Sequence, residues 1–584
     1  MEEQNVNFRR FFLFSAPFSL LTLFLIWYVG QERYIYFWDY QGYHSSYRFL
    51  GWQLADRPFQ AVGSVIASIR KNDYNMLPTL FQMPAYFVLG PSRIAYILAI
   101  AASFAFPAIV FFTRLMAAIH GGDARTNKGN DLLLTLVAIS VIAFCPQLWA
   151  PVLRGYVDVV GLNIIFIVLM LYFRHDLAEQ TPRHLIALGF LLSLLILLRR
   201  WYAYWVVGFF CAMSVAALVS PLLDRTPMKT VQLRCQNILL IGATAVLSFF
   251  AIATPIAVEM LTTNYRDVYA AYRTGNSLFS HVGYLCEYFG IPFVVASVAG
   301  LLLMSAKERT RRIALFVAVQ FAVTFILFTR TQDMGIHHFY WVSATLFLLT
   351  AFFLRECCSW LRTPLLKRTF VSGLIVAGVA NFLSVFHPGV RDFFSPAIFA
   401  FPERYFYPLT RKDLDQVRNL LLTLDTLTRD SDGKIYVLTS SWTLNGDIAR
   451  SGCHTFTPAL VNLERNLLYT YDVDKREGFP LQFFQAQYVV VTNPVGYHLA
   501  PENQRVVGLL AEELLKGEGL GRSYERLPFA FALEDGSTAT IYKKNTHFRA
   551  NDLKRLSDTF VGLYPEYKEK FEIKSEIIRE LSDL

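Results

Sequence analysis

The chain has 584 residues, of which 54% are hydrophobic, 15% aromatic and only 17% charged, with a net charge of +9 at pH 7. A soluble domain carries about a quarter charged residues, so a single soluble domain is excluded, and high apolar content with sparse charge excludes intrinsic disorder. The seven cysteines form no CxxC and no disulfide framework; most fall in or beside apolar runs, where a free thiol behaves as a small hydrophobe.

Apolar runs of about 17–25 residues are the length that crosses a bilayer. They recur near 11–29, 94–116, 131–150, 157–173, 184–198, 203–222, 236–261, 290–305, 313–329, 339–354 and 370–386, about eleven spans in all. Arg9 and Arg10 precede the first run as in a signal peptide, but no small-residue cleavage site follows. An uncleaved first span is therefore predicted. With a cytoplasmic N-terminus, the short loops near 117–130, 174–183, 222–235, 306–312 and 355–368 also face the cytoplasm. They are rich in Lys and Arg, among them Arg174, Arg183, Arg225, Lys307, Arg311 and Lys367. The long loop 30–92 on the other side is poor in them, and this asymmetry sets the orientation. An odd number of spans places everything after about residue 388 outside the cytoplasm.

Loop 30–92 is not purely polar. Phe59–Ile69 is amphipathic, with Val62, Val65, Ile66 and Ile69 at helical spacing, and predicts a helix lying along the interface. Phe37, Trp38, Tyr40, Tyr43 and Tyr47 read as an aromatic belt at headgroup level. After about 388 charge becomes frequent and apolar runs shrink to strand length. Leu414–Leu427 has helical periodicity, while Lys434–Leu438, Tyr488–Val491 and Thr538–Tyr542 read as short buried strands. The fold class that follows is mainly α: a polytopic transmembrane bundle over 1–388, with amphipathic helices in its outer loops. It is followed by an α/β extracytoplasmic domain over 389–545 and a charged helical tail over 546–584, with Phe560, Leu563 and Phe571 as docking residues. That domain shows no nucleophile or metal constellation and reads as a lid or acceptor-docking domain.

An ionisable residue at or inside the membrane is costly and marks a functional candidate. Asp39, framed by Trp38 and Tyr40 just after the first span, has the setting of a general base. Asp73 follows Arg70 and Lys71, and Asp158 opens the fourth span. Arg199 and Arg200 interrupt a long apolar stretch at the outer edge and need an anionic partner; a phosphate bound by guanidinium supplies one. His337, His338 and Tyr340 form a further outer cluster with Arg330 and Asp333. Adjacent histidines point in different directions on a helix, so hydrogen bonding to a phosphate or sugar hydroxyl is favoured over metal ligation.

Taken in order, Trp38-Asp39-Tyr40, the segment from Asn75 through Pro78 to Gly90-Pro91-Ser92-Arg93, Asp158, the basic pair after the fifth span and His337-His338-Phe339-Tyr340 make a pattern. The segments Ala486–Val491 and Ala539–Lys544 belong to it as well. Together they resemble the GT-C superfamily of integral membrane glycosyltransferases, in its protein O-mannosyltransferase and aminoarabinose transferase branch. The chain has Tyr40 where the family often has a second acid, and Met76-Leu77 where relatives often carry Glu-Lys. That moves the donor phosphate toward Arg199 and Arg200, with Arg57 or Lys71 as alternatives.

The resemblance implies an inverting glycosyltransferase with a polyprenyl-phosphate-sugar donor and a glycan or lipid-linked acceptor. It places the enzyme in the bacterial inner membrane, with the C-terminal domain periplasmic, in envelope polysaccharide or lipopolysaccharide synthesis. It makes Asp39 catalytic and Asp73, Asp158, Arg199, Arg200, His337, His338 and Tyr340 substrate-binding. Some relatives use a divalent metal and others none; no other cofactor and no nucleic-acid partner is expected. A transporter, flippase or polymerase of lipid-linked saccharides is the rival reading. Transporters more often show two similar halves, and no such symmetry is visible here.

Overall fold

The computed structural model describes residues 2–72, 74–120, 128–273, 277–429, 433–456 and 459–583. Each apolar run marked in the sequence lies in helical structure. Seven helices are long and apolar enough to cross a membrane, or nine if each of two bent pairs is one span. Two further runs form the shorter helices Val160–Arg174 and Pro182–Leu198, of 15 and 17 residues. These are about 22 and 26 Å long, short of the roughly 30 Å hydrocarbon layer. The expected eleven full-length spans are therefore nine at most among the described residues.

Two breaks have visible causes. The 35-residue helix Met228–Thr262 loses helical geometry at Ala253, two residues before Pro255. Proline lacks an N–H and crowds the carbonyl four residues earlier. Helices Leu278–Phe289 and Ile291–Ala306 meet at 111° through Gly290, whose φ of +84° suits a residue without Cβ.

The chain forms two compact units. The first comprises Met1–Gln31, Gly42–Thr263 and Thr274–Pro408 and is the helical bundle. Its amphipathic segment is the helix Pro58–Lys71. Ala61 and Val65 are buried, whereas Phe59, Val62 and Ile66 are exposed, so two apolar edges flank one helix. The aromatic belt is partly an interior feature: Tyr43 and Tyr47 are buried inside this unit, because each ring finds packed partners there.

The second unit comprises Glu32–Gln41, Asn264–Arg273 and Leu409–Leu584. Its strands β1 (Ile435–Leu438), β2 (Tyr488–Asn493), β3 (Tyr524–Ala532) and β4 (Thr538–Lys544) form one sheet in the order β1-β2-β4-β3. β1 and β2 are parallel, with Ile435 opposite Tyr488; the other pairs are antiparallel. Side chains alternate across the sheet. Tyr436, Leu438, Val489 and Val491 enter one core with Val506, Leu510, Leu553, Phe560 and Phe571. Ile435, Val437, Tyr488 and Val490 enter the other with Leu420, Leu424, Ile448 and the early residues Ile35 and Phe37. Both faces are covered, which is why β1 and β2 read as continuous apolar runs.

The division of the chain thus differs from 1–388, 389–545 and 546–584. Residues up to Pro408 stay with the bundle because their backbone groups find partners there: Phe406 N–H donates to Val385 O at 2.8 Å, and Tyr28 Oη donates to the Phe406 carbonyl at 2.7 Å. The segment 546–584 is no separate tail, since Phe560 and Phe571 are fully buried in the second unit; Leu563, by contrast, is exposed.

Candidate functional site

The two short helices are antiparallel neighbours in sequence, so the start of Val160–Arg174 and the end of Pro182–Leu198 fall at one end of the bundle. Asp158 stands just before the first and Arg199 just after the second. Arg199 leaves the helix in extended geometry (φ −155°, ψ 116°), followed by the single turn Arg200–Tyr202. Helix and turn are thereby separated, and the Arg199 side chain meets Asp158: Nε donates to Asp158 Oδ1 at 2.7 Å. Trp201 Nε1 donates to the same oxygen at 2.8 Å, and Tyr202 Oη donates to the Asp158 carbonyl at 2.7 Å. Asp158 is wholly buried and Arg199 is 4% exposed.

The far side of the guanidinium is aromatic. Nη1 donates to the Tyr43 hydroxyl, and the group sits 5.1 Å from the Tyr43 ring centroid and 4.8 Å from that of Tyr74. Asn75 Nδ2 donates to Leu197 O at 2.8 Å, tying the segment after Asp73 to the same helix end. A desolvated cation over two rings gains on the order of 2 kcal/mol per ring.

A second layer lies against this pair. Gly155 has φ +88°, and a Cβ there would lie 2.8 Å from the Arg93 guanidinium. Tyr96 Oη donates to the Gly155 carbonyl at 2.6 Å and stacks on His44. His44 donates through Nε2 to the Pro91 carbonyl at 2.9 Å; burial, then Arg93, holds its pKa down at about 3, so the ring stays neutral. His337 stacks on Tyr156 at 4.3 Å and 15°, and its Nδ1 is buried without a hydrogen-bond partner among the described residues. His338 Nδ1 accepts from the Gly335 N–H at 2.9 Å, and its ring lies edge-on to Trp201 at 5.4 Å.

Asp158, Arg199 and, through Trp201, the histidine pair are thus gathered at one end of the bundle. Arg200 is half-buried in its short turn. The Tyr340 hydroxyl is taken up inside the bundle by Leu148 O, at 3.0 Å. Asp73 lies outside the described residues. Asp39 belongs to the second unit and opens the helix Asp39–Asp56. Trp38, immediately before it, has φ +46°, a conformation costing a bulky residue about 1–3 kcal/mol, and is held there by Phe37, Trp442 and His498.

Sequence reasoning missed Tyr43, Tyr74, Tyr156 and Arg93 as parts of the site. Arg93 appeared only as the end of the Gly-Pro-Ser-Arg turn, and Tyr43 only as an interface aromatic. The described residues hold no group of three or more His, Cys, Asp or Glu able to cage a metal ion, and the Asp158 oxygen nearest the cluster is engaged by Arg199 and Trp201.

No protein-family model and no curated protein matches the chain. Among solved structures, it is similar to ArnT from Cupriavidus metallidurans bound to undecaprenyl phosphate, with TM-score 0.47 and 13% identity over 90% of this chain and 97% of that one. It is also similar to the archaeal oligosaccharyltransferase AglB from Archaeoglobus fulgidus in complex with an inhibitory peptide and a dolichol-phosphate, with TM-score 0.48 and 11% identity over 91% of this chain and 74% of that one. At these scores the likenesses assign no residue a role.

Proposed function

We propose that the chain is a membrane glycosyltransferase of the GT-C type, moving a sugar from a polyprenyl-phosphate-linked donor to a glycan or lipid-linked acceptor at the outer face of a bacterial inner membrane. One observation carries the reading. A buried guanidinium, Arg199, is fixed by Asp158 and two tyrosine rings at the meeting of two helices too short to span the hydrocarbon layer. A prenyl tail is soluble in that layer, and its phosphate must be met by a cation held in place rather than by water.

In this reading the acceptor oxygen attacks the anomeric carbon as the bond from that carbon to the donor phosphate oxygen breaks. The bonding pair leaves with the phosphate, and the hydroxyl proton passes to the Asp39 carboxylate. Displacement from the opposite face inverts the anomeric centre. Arg199, with Arg200 and Arg93, stabilises the charge that grows on the phosphate. Asp158 fixes the guanidinium, while Asp73, His337, His338 and Tyr340 position the substrates.

The test is transfer of labelled sugar from a prenyl phosphate to an extracted acceptor by the purified protein, without a second protein. Asp39→Asn is expected to lower turnover at least 100-fold, in the range of a lost general base, with the fold retained. Arg199→Lys is expected to raise the donor KM. Near-normal turnover in the first variant removes Asp39 as the base, and an unchanged donor KM in the second moves the phosphate elsewhere.

A further inference from the structure

The second unit carries a polar cluster that the transfer chemistry does not use. β1 and β2 are parallel, so their carboxyl ends share one edge of the sheet, the edge at which open α/β sheets meet ligands. The chain leaves β1 as Thr439-Ser440-Ser441-Trp442 and β2 as Pro494-Val495-Gly496-Tyr497-His498. The two exits are fastened together: Ser440 N–H donates to Gly496 O at 3.0 Å. A Cβ on Gly496 would lie 2.6 Å from that of Ser441, so the approach needs glycine.

Side chains converge above this junction. Ser440 Oγ donates to Asp472 Oδ2 at 3.0 Å and lies 2.8 Å from His498 Nδ1. Gln504 holds the rest in place: its Nε2 donates to the Asp472 carbonyl at 2.7 Å, and its Oε1 accepts from the His498 N–H at 3.0 Å. The Trp38 ring lies 4.5 Å from the His498 ring and 5.2 Å from that of Trp442, in a T-shaped pair. Trp442 is 54% exposed, an unusual cost for an indole beside a rigid polar cluster. Neither indole N–H, nor His498 Nε2, makes a hydrogen bond among the described residues.

Hydrolysis is not the use of this cluster. In a Ser-His-Asp triad the histidine stands between the other two; here Ser440 stands between His498 and Asp472. An anion is not suited either, because two carboxylates stand at this edge: Glu477 Oε2 accepts from the N–H of Asp472 at 2.6 Å. What remains is an apolar plate beside hydrogen-bonding groups that carry no cation. Burial holds His498 at about 4, and burial together with Glu477 raises Asp472 to about 7, so near neutrality the imidazole is uncharged and the carboxyl still holds its proton about half of the time.

We infer that this edge is a saccharide subsite, in which an uncharged pyranose ring packs its C–H face on Trp442 and Trp38 and hydrogen-bonds to His498 and Asp472. Aromatic bodies supply the contact area and a few fixed polar groups set orientation. Trp38 is followed directly by Asp39 in the same unit, which makes the sugar held here the acceptor; that last clause rests on the transfer reading, while the binding itself does not.

The experiment uses the full chain in lipid nanodiscs, without donor, and saturation-transfer difference NMR with maltotriose, mannotriose and chitotriose as probes. Saturation transfer to ring protons of at least one probe is expected. Trp442→Ala, at an exposed position, is expected to weaken that binding about tenfold, the weight of one well-packed ring contact. Asp472→Asn is expected to shift the probe ranking, whereas Arg199→Lys leaves binding unchanged. No transfer to any probe, or equal binding by Trp442→Ala and the parent, overturns the subsite. Loss of turnover in Asp39→Asn with sugar binding intact keeps the two readings separable: the first assay then reports on chemistry and the second on the subsite alone.

Discussion

Removing one member of the Asp158–Arg199 pair is the sharpest probe of the bundle's polar centre. Asp158→Asn keeps the shape and leaves Oδ1 to accept from Trp201, but strands a guanidinium that is only 4% exposed. Losing one partner of a buried pair costs about 3–5 kcal/mol. The Tyr43 and Tyr74 faces, at 5.1 and 4.8 Å, act on the guanidinium in parent and variant alike and so offset none of this cost. A loss of about 3–5 kcal/mol is therefore expected. Arg199→Met strands the carboxylate with a similar cost. The double variant strands neither, so it is expected to be nearer the parent than the sum of the singles by about 2–4 kcal/mol. The assay is a double-mutant cycle by equilibrium unfolding in mixed micelles, followed by tryptophan fluorescence. Additivity within about 0.5 kcal/mol would refute the reasoning, for it would mean that the two charges are solvated independently.

Three other outcomes are expected. Gly161→Ala places a methyl 2.0 Å from the Tyr202 ring, whose hydroxyl holds the Asp158 carbonyl; overpacking is expected to cost about 1–3 kcal/mol, seen as a lower unfolding midpoint. Phe560→Ala empties a fully buried position of the second unit at about 3–5 kcal/mol, and limited proteolysis is expected to begin near residue 550. Asp472, facing Glu477, Arg476, Asp447 and Ser440 and raised to about 7, holds a proton in the folded chain that the unfolded chain releases near about 3.9. Its contribution to stability therefore falls as pH rises from about 4 to 7 and levels off above. His498, held at about 4, adds the opposite slope up to about 6.5, so the difference between parent and Asp472→Asn in pH-dependent thermal unfolding isolates the carboxylate.

What the sequence disclosed followed from periodicity. Apolar runs marked the helices, and alternation-free Val-rich stretches marked β1 and β2, because burial on both faces removes polar positions. β3 escaped notice because it is an edge strand left largely exposed, whereas the other edge strand, β1, is buried throughout. Tyr524–Ala532 carries Glu525, Arg526 and Pro528, and its register shifts between Arg526 and Ala530, around a residue that cannot donate to the ladder. At the site, Asp158 and Arg199 stood out individually, since ionisable groups in apolar surroundings are rare. Their pairing did not, because 41 residues separate them and only helix packing brings them together. Tyr43 was hidden by the same logic: a tyrosine just beyond a span has the composition of a headgroup anchor whether it faces lipid or a guanidinium.

The sheet unit depends on a strip of chain made long before the rest of it. Ile35 and Phe37 fill the core beneath β1 and β2, and Glu32 accepts from the Leu409 amide across 377 residues. At 5–20 residues per second, roughly 20–75 s of synthesis separates the two. During that interval Ile35 and Phe37 have no sheet to enter. When residues 409–584 arrive they hold an empty slot that only the waiting strip fills. Expressed by themselves they would expose that slot and tend to associate, so a soluble version of the domain needs the early strip grafted to its front.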